Sequence, residues 1–168
     1  MKNRQIDRLL VGMQGGSNDD FAALYEGTRR GVYSFIYSYL HNHHATEDVM
    51  QTVYLKIKMN VSTYRPGTNG RAWILQIAKN LALSELEKMN RIDSEAELPP
   101  SEDMIEHGEV TEIIKRVLTN EEERIVVLHV IWGYKHREIS RLLGLPLGTV
   151  TSKYKRATEK VRKEYEGK

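Results

Sequence analysis

"HREISRLLGLPLGTVTSKYKRATEKVRK", His136 to Lys163, is the stretch that decides the fold class. Ile139, Leu142 and Leu143 bury one side of a short helix, and Val150, Tyr154, Ala157 and Val161 give a longer helix its inward stripe. Gly144 between them is a residue that takes positive φ at a helix end. Pro146 fits at or just before the first turn of the next helix, where its missing N–H does no harm. Small Ser140 suits a close crossing of the two helices. The spacing predicts a helix-turn-helix.

The second of these helices is strongly basic. Thr151, Ser152, Lys155 and Arg156 stand opposite its apolar stripe, with Lys153, Lys160, Arg162 and Lys163 around them. Hydroxyls and cations on one outward face match the base edges and phosphates of a DNA major groove. A solvated amphipathic helix whose cations complement its own C-terminal dipole is the plainer reading. The turn, the small residues and the basic face agree with one another, and together they point to DNA.

Composition says the basic character must be local. The chain has 168 residues with 25 Lys and Arg against 23 Asp and Glu, a net charge of only +2. That length suits one domain or two small ones. With no cysteine, a disulfide scaffold and cysteine-ligated zinc are excluded. No apolar run approaches the roughly 20 residues of a membrane span, and the N-terminal residues do not read as a signal peptide. The expectation is a soluble intracellular protein that does not insert into a membrane.

Outward from the motif, helical spacing continues and no alternating strand stands out. Phe21, Leu24 and Tyr25 begin a pattern that runs through Val32, Phe35, Ile36, Tyr39 and Leu40, with Asn18 or Asp19 as its cap. A second pattern covers Ala45 to Lys58, with Val49, Val53 and Ile57 on its inward side. "STYRPGTNGR", Ser62 to Arg71, breaks the helix at Pro66-Gly67 and Asn69-Gly70. A third pattern, Trp73, Ile77 and Leu81 with Ile74 and Ala78 beside it, extends to about Met89, with Trp73 read as core.

After Arg91 the composition turns acidic. "DSEAELPPSEDMIEHGE" lacks lysine and arginine, carries Pro99-Pro100, and reads as a linker. The expected organisation is all-α: a helical domain at 1–91, an acidic linker at 92–108, and a helix-turn-helix domain at 109–168. Within the last, a short helix from Thr111 to Leu118 precedes a capping box, Thr119 to Glu122, that opens the helix "RIVVLHVIW". Gly133 ends it.

"HNHHATED", His41 to Asp48, invites a metal reading, but it has no i, i+4 histidine pair and no second cluster. No metal site and no cofactor are expected. Nor does any nucleophile–base pair or phosphate-cradling glycine loop emerge, so no catalysis by the chain itself is expected.

With both halves in view, the chain resembles a bacterial extracytoplasmic-function (ECF) sigma factor. "RIVVLHVIWGYKHREISRLLGLPLGTVTSKYKRA" looks like sigma region 4; "ATEDVMQTVYLKI" followed by "AWILQIAKN" looks like region 2. The resemblance implies binding to core RNA polymerase and promoter-specific initiation. Asp48, Gln51 and Leu55 would dock on the clamp coiled coil of the largest subunit. From spacing alone, the preferred reading of Glu47 and Asp48 is first-turn acids complementing a helix dipole.

By the same resemblance, the loop Arg65 to Arg71 would capture a base flipped from the −10 element, with Thr68 and Asn69 reaching its edge. Lys79, Asn80 and Lys88 would contact the same element. Ser84 and Glu87 stand where the family usually has an acid and then an arginine. In region 4, Arg137, Arg141, Thr149 and Lys153 would hold the backbone of the −35 element. Thr151, Ser152, Lys155 and Arg156 would read or flank bases, with Lys160 beside them; Thr151 replaces a commonly basic residue. An anti-sigma factor would be the expected regulator, and the location cytoplasmic. The rival expectations are a sigma-like mimic that sequesters an anti-sigma factor, and a stand-alone helix-turn-helix regulator.

Overall fold

A computed structural model describes residues 1–93 and 109–167. Among the described residues every regular element is helical, as the periodicity requires. Contacts divide the chain into two compact units, Met1–Pro99 and Pro100–Lys168.

The first unit is built from α1 (Asn3–Gln14), α2 (Asn18–Leu40), α3 (His43–Asn60) and α4 (Gly70–Asp93). α1 was not among the expected helices. Its signal is Ile6, Leu9, Leu10 and Met13, at i, i+3, i+4 and i+7, all buried against α2 and α4. The Gln5 side chain accepts the Lys2 backbone N–H at 3.1 Å and closes its first turn.

Ser17 caps α2, its hydroxyl accepting the Asp20 N–H at 3.2 Å, which corrects the expected cap at Asn18 or Asp19. Asp19 and Asp20 instead sit in the first turn, where acids complement the dipole. The expected apolar stripe of α2 holds for Leu24, Val32, Phe35, Ile36, Tyr39 and Leu40, which are buried, while Phe21 and Tyr25 at its start are half-buried. So does that of α3, where Val49, Val53 and Ile57 are buried beneath an Asn42 cap that accepts the Ala45 N–H at 2.9 Å.

In α4 the expected face is buried along its Ile74 and Ala78 side rather than along Trp73 and Ile77. Ile74, Leu75, Ala78 and Ala82 are buried, whereas Trp73, Ile77 and Leu81 are only half-buried. α4 packs on three sides, against α1, α2 and α3, and its buried face includes the small Ala78 and Ala82. Trp73 lies instead beside Tyr64, ring centroids 5.5 Å apart. The helix runs to Asp93, two residues into the expected linker; the remainder of that linker, 94–108, lies outside the described residues.

The second unit contains α5 (Glu109–Val117), α6 (Asn120–Val126) continuing into one π-helical turn (Val127–Ile131), α7 (His136–Leu143) and α8 (Leu147–Glu166). The capping box forms as read: the Glu122 N–H donates to Thr119 Oγ1 at 3.3 Å, and the Thr119 N–H donates to Glu122 Oε2 at 3.0 Å. Gly133 and Gly144 both take positive φ, 67° and 69°. Ile125, Leu128, Ile139, Val150 and Ala157 form the core between α8 and its partners α5, α6 and α7.

Candidate nucleic-acid interface and the surfaces around it

Gly144 ends α7 in the left-handed conformation, and the Leu145 N–H returns to the Ser140 carbonyl at 3.0 Å. The Ser140 hydroxyl donates to the Leu145 carbonyl. Ser140 is therefore more than small: it ties the turn that sets the angle at which α8 leaves α7. Val150, fully buried, anchors the start of α8.

That geometry leaves Thr151, Ser152, Lys155 and Arg156 exposed on α8, and Arg137 and Arg141 exposed one turn apart on α7. Among the described residues none of these four cations makes an ion pair, so their charge faces solvent. Thr149 is half-buried. The Thr151 hydroxyl lies 3.3 Å from His136 Nδ1, a ring that packs against Tyr154 and His129 at centroid distances of 5.0 Å each. Burial, and His129 alongside, hold His136 below the usual imidazole range, so the ring is neutral at pH 7.

Two of the lysines expected at the −35 element, Lys153 at phosphate and Lys160 beside the base-reading residues, are paired within the fold. Lys153 Nζ lies 2.6 Å from Glu121, and Lys160 Nζ 2.7 Å from Glu122. Both acids belong to the first turn of α6, which packs on α8. Glu121 and Glu122 were read only as capping-box sequence; no local signal marks them as partners of lysines on a later helix.

On α3, Asp48, Gln51 and Leu55 share an exposed face, as their spacing implies, with Leu55 at 58% exposure and Met59 at 71% beyond it. An apolar pair so open on the face opposite Val49, Val53 and Ile57 has no role in the fold of its own unit.

The loop between α3 and α4 is more ordered than a polar turn needs to be. Arg65 and Thr68 are exposed, and the Thr68 hydroxyl donates to the Arg65 carbonyl at 2.7 Å. Asn69 is half-buried and caps α4, its side-chain oxygen accepting the Ala72 N–H at 3.1 Å; that use leaves its amide nitrogen for a ligand. Arg71 and Lys79 are half-buried, whereas Asn80 is exposed and accepts from Gln76 at 2.9 Å. Lys88 pairs with Glu85 at 3.2 Å, and Arg91 with Glu87 at 3.8 Å, all on the outer part of α4. Exposed pairs of this kind are worth little and open readily to another anion. Ser84 is exposed as well, so the departures at Ser84 and Glu87 lie on the surface.

The fold and this charge distribution define a helical protein whose second unit carries a helix-turn-helix with a basic outer face. Comparison with known proteins makes the class specific. Residues 24–92 match Sigma-70 region 2, and residues 115–161 match Sigma-70, region 4. The ECF RNA polymerase sigma factor SigX of Bacillus subtilis is 23% identical over 164 residues, covering 88% of this chain and 84% of its own. SigE of Mycolicibacterium smegmatis, also an ECF sigma factor, is 32% identical over 145 residues, 78% of this chain and 56% of its own. The sigma factor RpoE, solved in complex with the anti-sigma factor NepR from Bartonella quintana, superposes with a TM-score of 0.69 at 18% identity. That match covers 88% of this chain and 97% of RpoE.

The chain belongs to the ECF RNA polymerase sigma factors. Proteins of this family are DNA-binding transcription initiation factors and catalyse no reaction themselves.

Proposed function

We propose that the chain joins core RNA polymerase through the exposed face of α3, recognises a −35 element with α8, and melts and reads a −10 element with the α3–α4 loop and α4. The observation that carries this reading is the sorting of charge on α8. Lys155 and Arg156 face solvent with Thr151 and Ser152, while Lys153 and Lys160 are held by acids of α6. A helix kept only for solubility has no need of that division. Phosphate contact would then fall to Arg137, Arg141, Lys155 and Arg156, giving a steep but limited salt dependence.

On the first unit, Asp48, Gln51 and Leu55 would meet the clamp coiled coil of the largest polymerase subunit, with apolar Leu55 at the centre and Asp48 at the rim. Arg65, Thr68, Asn69 and Arg71 would receive an unpaired base, while Lys79, Asn80 and Lys88 hold the strand. Opening the duplex costs a few kcal/mol, which contacts to the extruded base offset. An anti-sigma factor covering these faces would regulate the chain, in the cytoplasm where polymerase works.

Runoff transcription with purified bacterial core polymerase on a promoter library tests the reading. Discrete starts that share two motifs at fixed spacing are the expected result. A chain that binds duplex DNA equally well without polymerase is a stand-alone regulator, and one that forms no promoter-dependent complex in a gel shift is a mimic.

A further inference from the structure

The loop proposed to receive a base is fastened to α1 by three polar side chains. Asp7 Oδ1 accepts the Tyr64 hydroxyl at 2.6 Å and the Gly67 N–H at 2.8 Å. Asn3 accepts the Arg71 N–H at 3.1 Å and donates to the Thr68 carbonyl at 3.4 Å. Gln14 Nε2 donates to the carbonyls of Val61 and Tyr64, at 2.9 and 2.7 Å. At 100° per residue, Asn3, Asp7 and Gln14 fall within about 40° of one another around the helix, so one stripe of α1 makes every one of these bonds.

Packing agrees with the polar contacts. Gly70, buried at the start of α4, sits so close to α1 that an added Cβ would lie 2.8 Å from Ile6 Cγ2 and 3.1 Å from Leu10 Cδ1. Gly67 takes φ 79°, the conformation that turns its N–H toward Asp7. Both ends of the loop, and the peptide at its tip, are thus held before any DNA arrives. The bond to Tyr64 and the Gly67 N–H also keep the Asp7 carboxyl below the usual carboxylate range, so it is ionised at any working pH.

We infer that Asp7, supported by Asn3 and Gln14, is a positioning residue for promoter melting: it holds the Tyr64–Arg71 loop in the shape that accepts an unpaired base. The inference rests on the base-capture reading of that loop. A site held in its binding shape loses no ordering entropy on binding, and the gain is confined to the step in which the base enters. Asp7 itself lies behind the loop and touches no DNA. Losing it would weaken base capture while leaving −35 recognition and polymerase binding untouched.

The test uses holoenzyme and fork-junction templates of the chain's own promoter, each −10 nucleotide made abasic in turn. Wild-type holoenzyme should lose about tenfold in affinity at one abasic position, the size of one or two lost hydrogen bonds with their stacking. Asp7→Ala should bind the intact template about tenfold more weakly and be indifferent to that abasic site. Asp7→Asn retains an acceptor at Oδ1 and should recover most of the sensitivity. Duplex −35 binding and assembly with core should be unchanged in both. Should Asp7→Ala fail to fold in a thermal melt, Tyr64→Phe removes one of the two bonds and should lose part of the sensitivity. Asp7→Ala, or Tyr64→Phe in its place, keeping full abasic sensitivity overturns the positioning role alone. Wild type indifferent at every −10 position overturns the base-capture reading and the inference with it.

Discussion

Lys160 Nζ lies 2.7 Å from Glu122 Oε2, and the Glu122 side chain is only 4% exposed. The same carboxylate accepts the Thr119 N–H that opens α6. One acid therefore joins a helix cap to a cation on α8, and Lys160 is tied into the packing of its own unit while its side chain stays partly exposed.

Removing the lysine leaves that carboxylate buried without its counter-ion. Lys160→Ala should destabilise the second unit by about 1–3 kcal/mol, less than a fully buried pair because the lysine is partly exposed. Urea denaturation measures this. The salt dependence of promoter binding should stay as in wild type, since no phosphate contact is lost.

Arg156→Ala should behave in the opposite way. Its stability should stay within about 0.5 kcal/mol of wild type, as for an exposed substitution. Promoter affinity should fall by about 1–3 kcal/mol if the guanidinium reads a base. If it meets phosphate instead, the loss is uniform across sequences and the slope of log K against log salt drops by about one. Holoenzyme titrations at several salt concentrations separate the two outcomes.

Glu122 also gives a pH signature. Burial pushes its carboxyl up, but the Lys160 ammonium and the Thr119 N–H outweigh burial and hold it below the usual range. A carboxyl that ionises more readily when folded stabilises the fold above its unfolded pKa and loses that contribution as pH falls through the folded one. Glu122→Gln should thus be less stable than wild type by about 1–2 kcal/mol at pH 7, with the gap closing below about pH 4. Thermal melts across that range test it; a gap that is constant with pH contradicts the ion pair.

At the turn, Gly144→Ala places a side chain at φ 69° with open space around it. The cost is conformational, about 1–2 kcal/mol, without a clash. Melting temperature should fall while the promoter motif selected in runoff assays stays the same, because α8 keeps its contacts.

On the first unit, Leu55→Ala should weaken assembly with core polymerase by more than about 1 kcal/mol, the threshold of a central interface residue. Asp48→Ala should chiefly slow association and steepen nothing in the folding transition. Stopped-flow binding to core distinguishes the two, and unaltered assembly in both variants removes α3 from the interface.

The turn from α7 to α8 was legible because everything that shapes it is local. Gly144, Pro146, Ser140 and Val150 act on neighbours within a turn or two, and their residue types announce what they do. The same holds for the capping box at Thr119 and for the inward stripe of α3. α1 carries an equally local signal in Ile6, Leu9, Leu10 and Met13, yet a short amphipathic run is indistinguishable from a surface helix until something is seen packed against it.

What the chain's order of residues determined by itself is thus the helical class, the division into two helical units and the helix-turn-helix with its basic outer face, because periodicity and turn chemistry operate over a few residues. Tertiary structure alone decided which cations remain available, and that Trp73 and Ile77 sit at the margin of the buried face of α4. It also decided what lies behind the loop. Glu122 is 38 residues from Lys160, and Asp7 is 57 from Tyr64. Interactions at such separations depend on how helices pack, and no pattern along the chain encodes that distance.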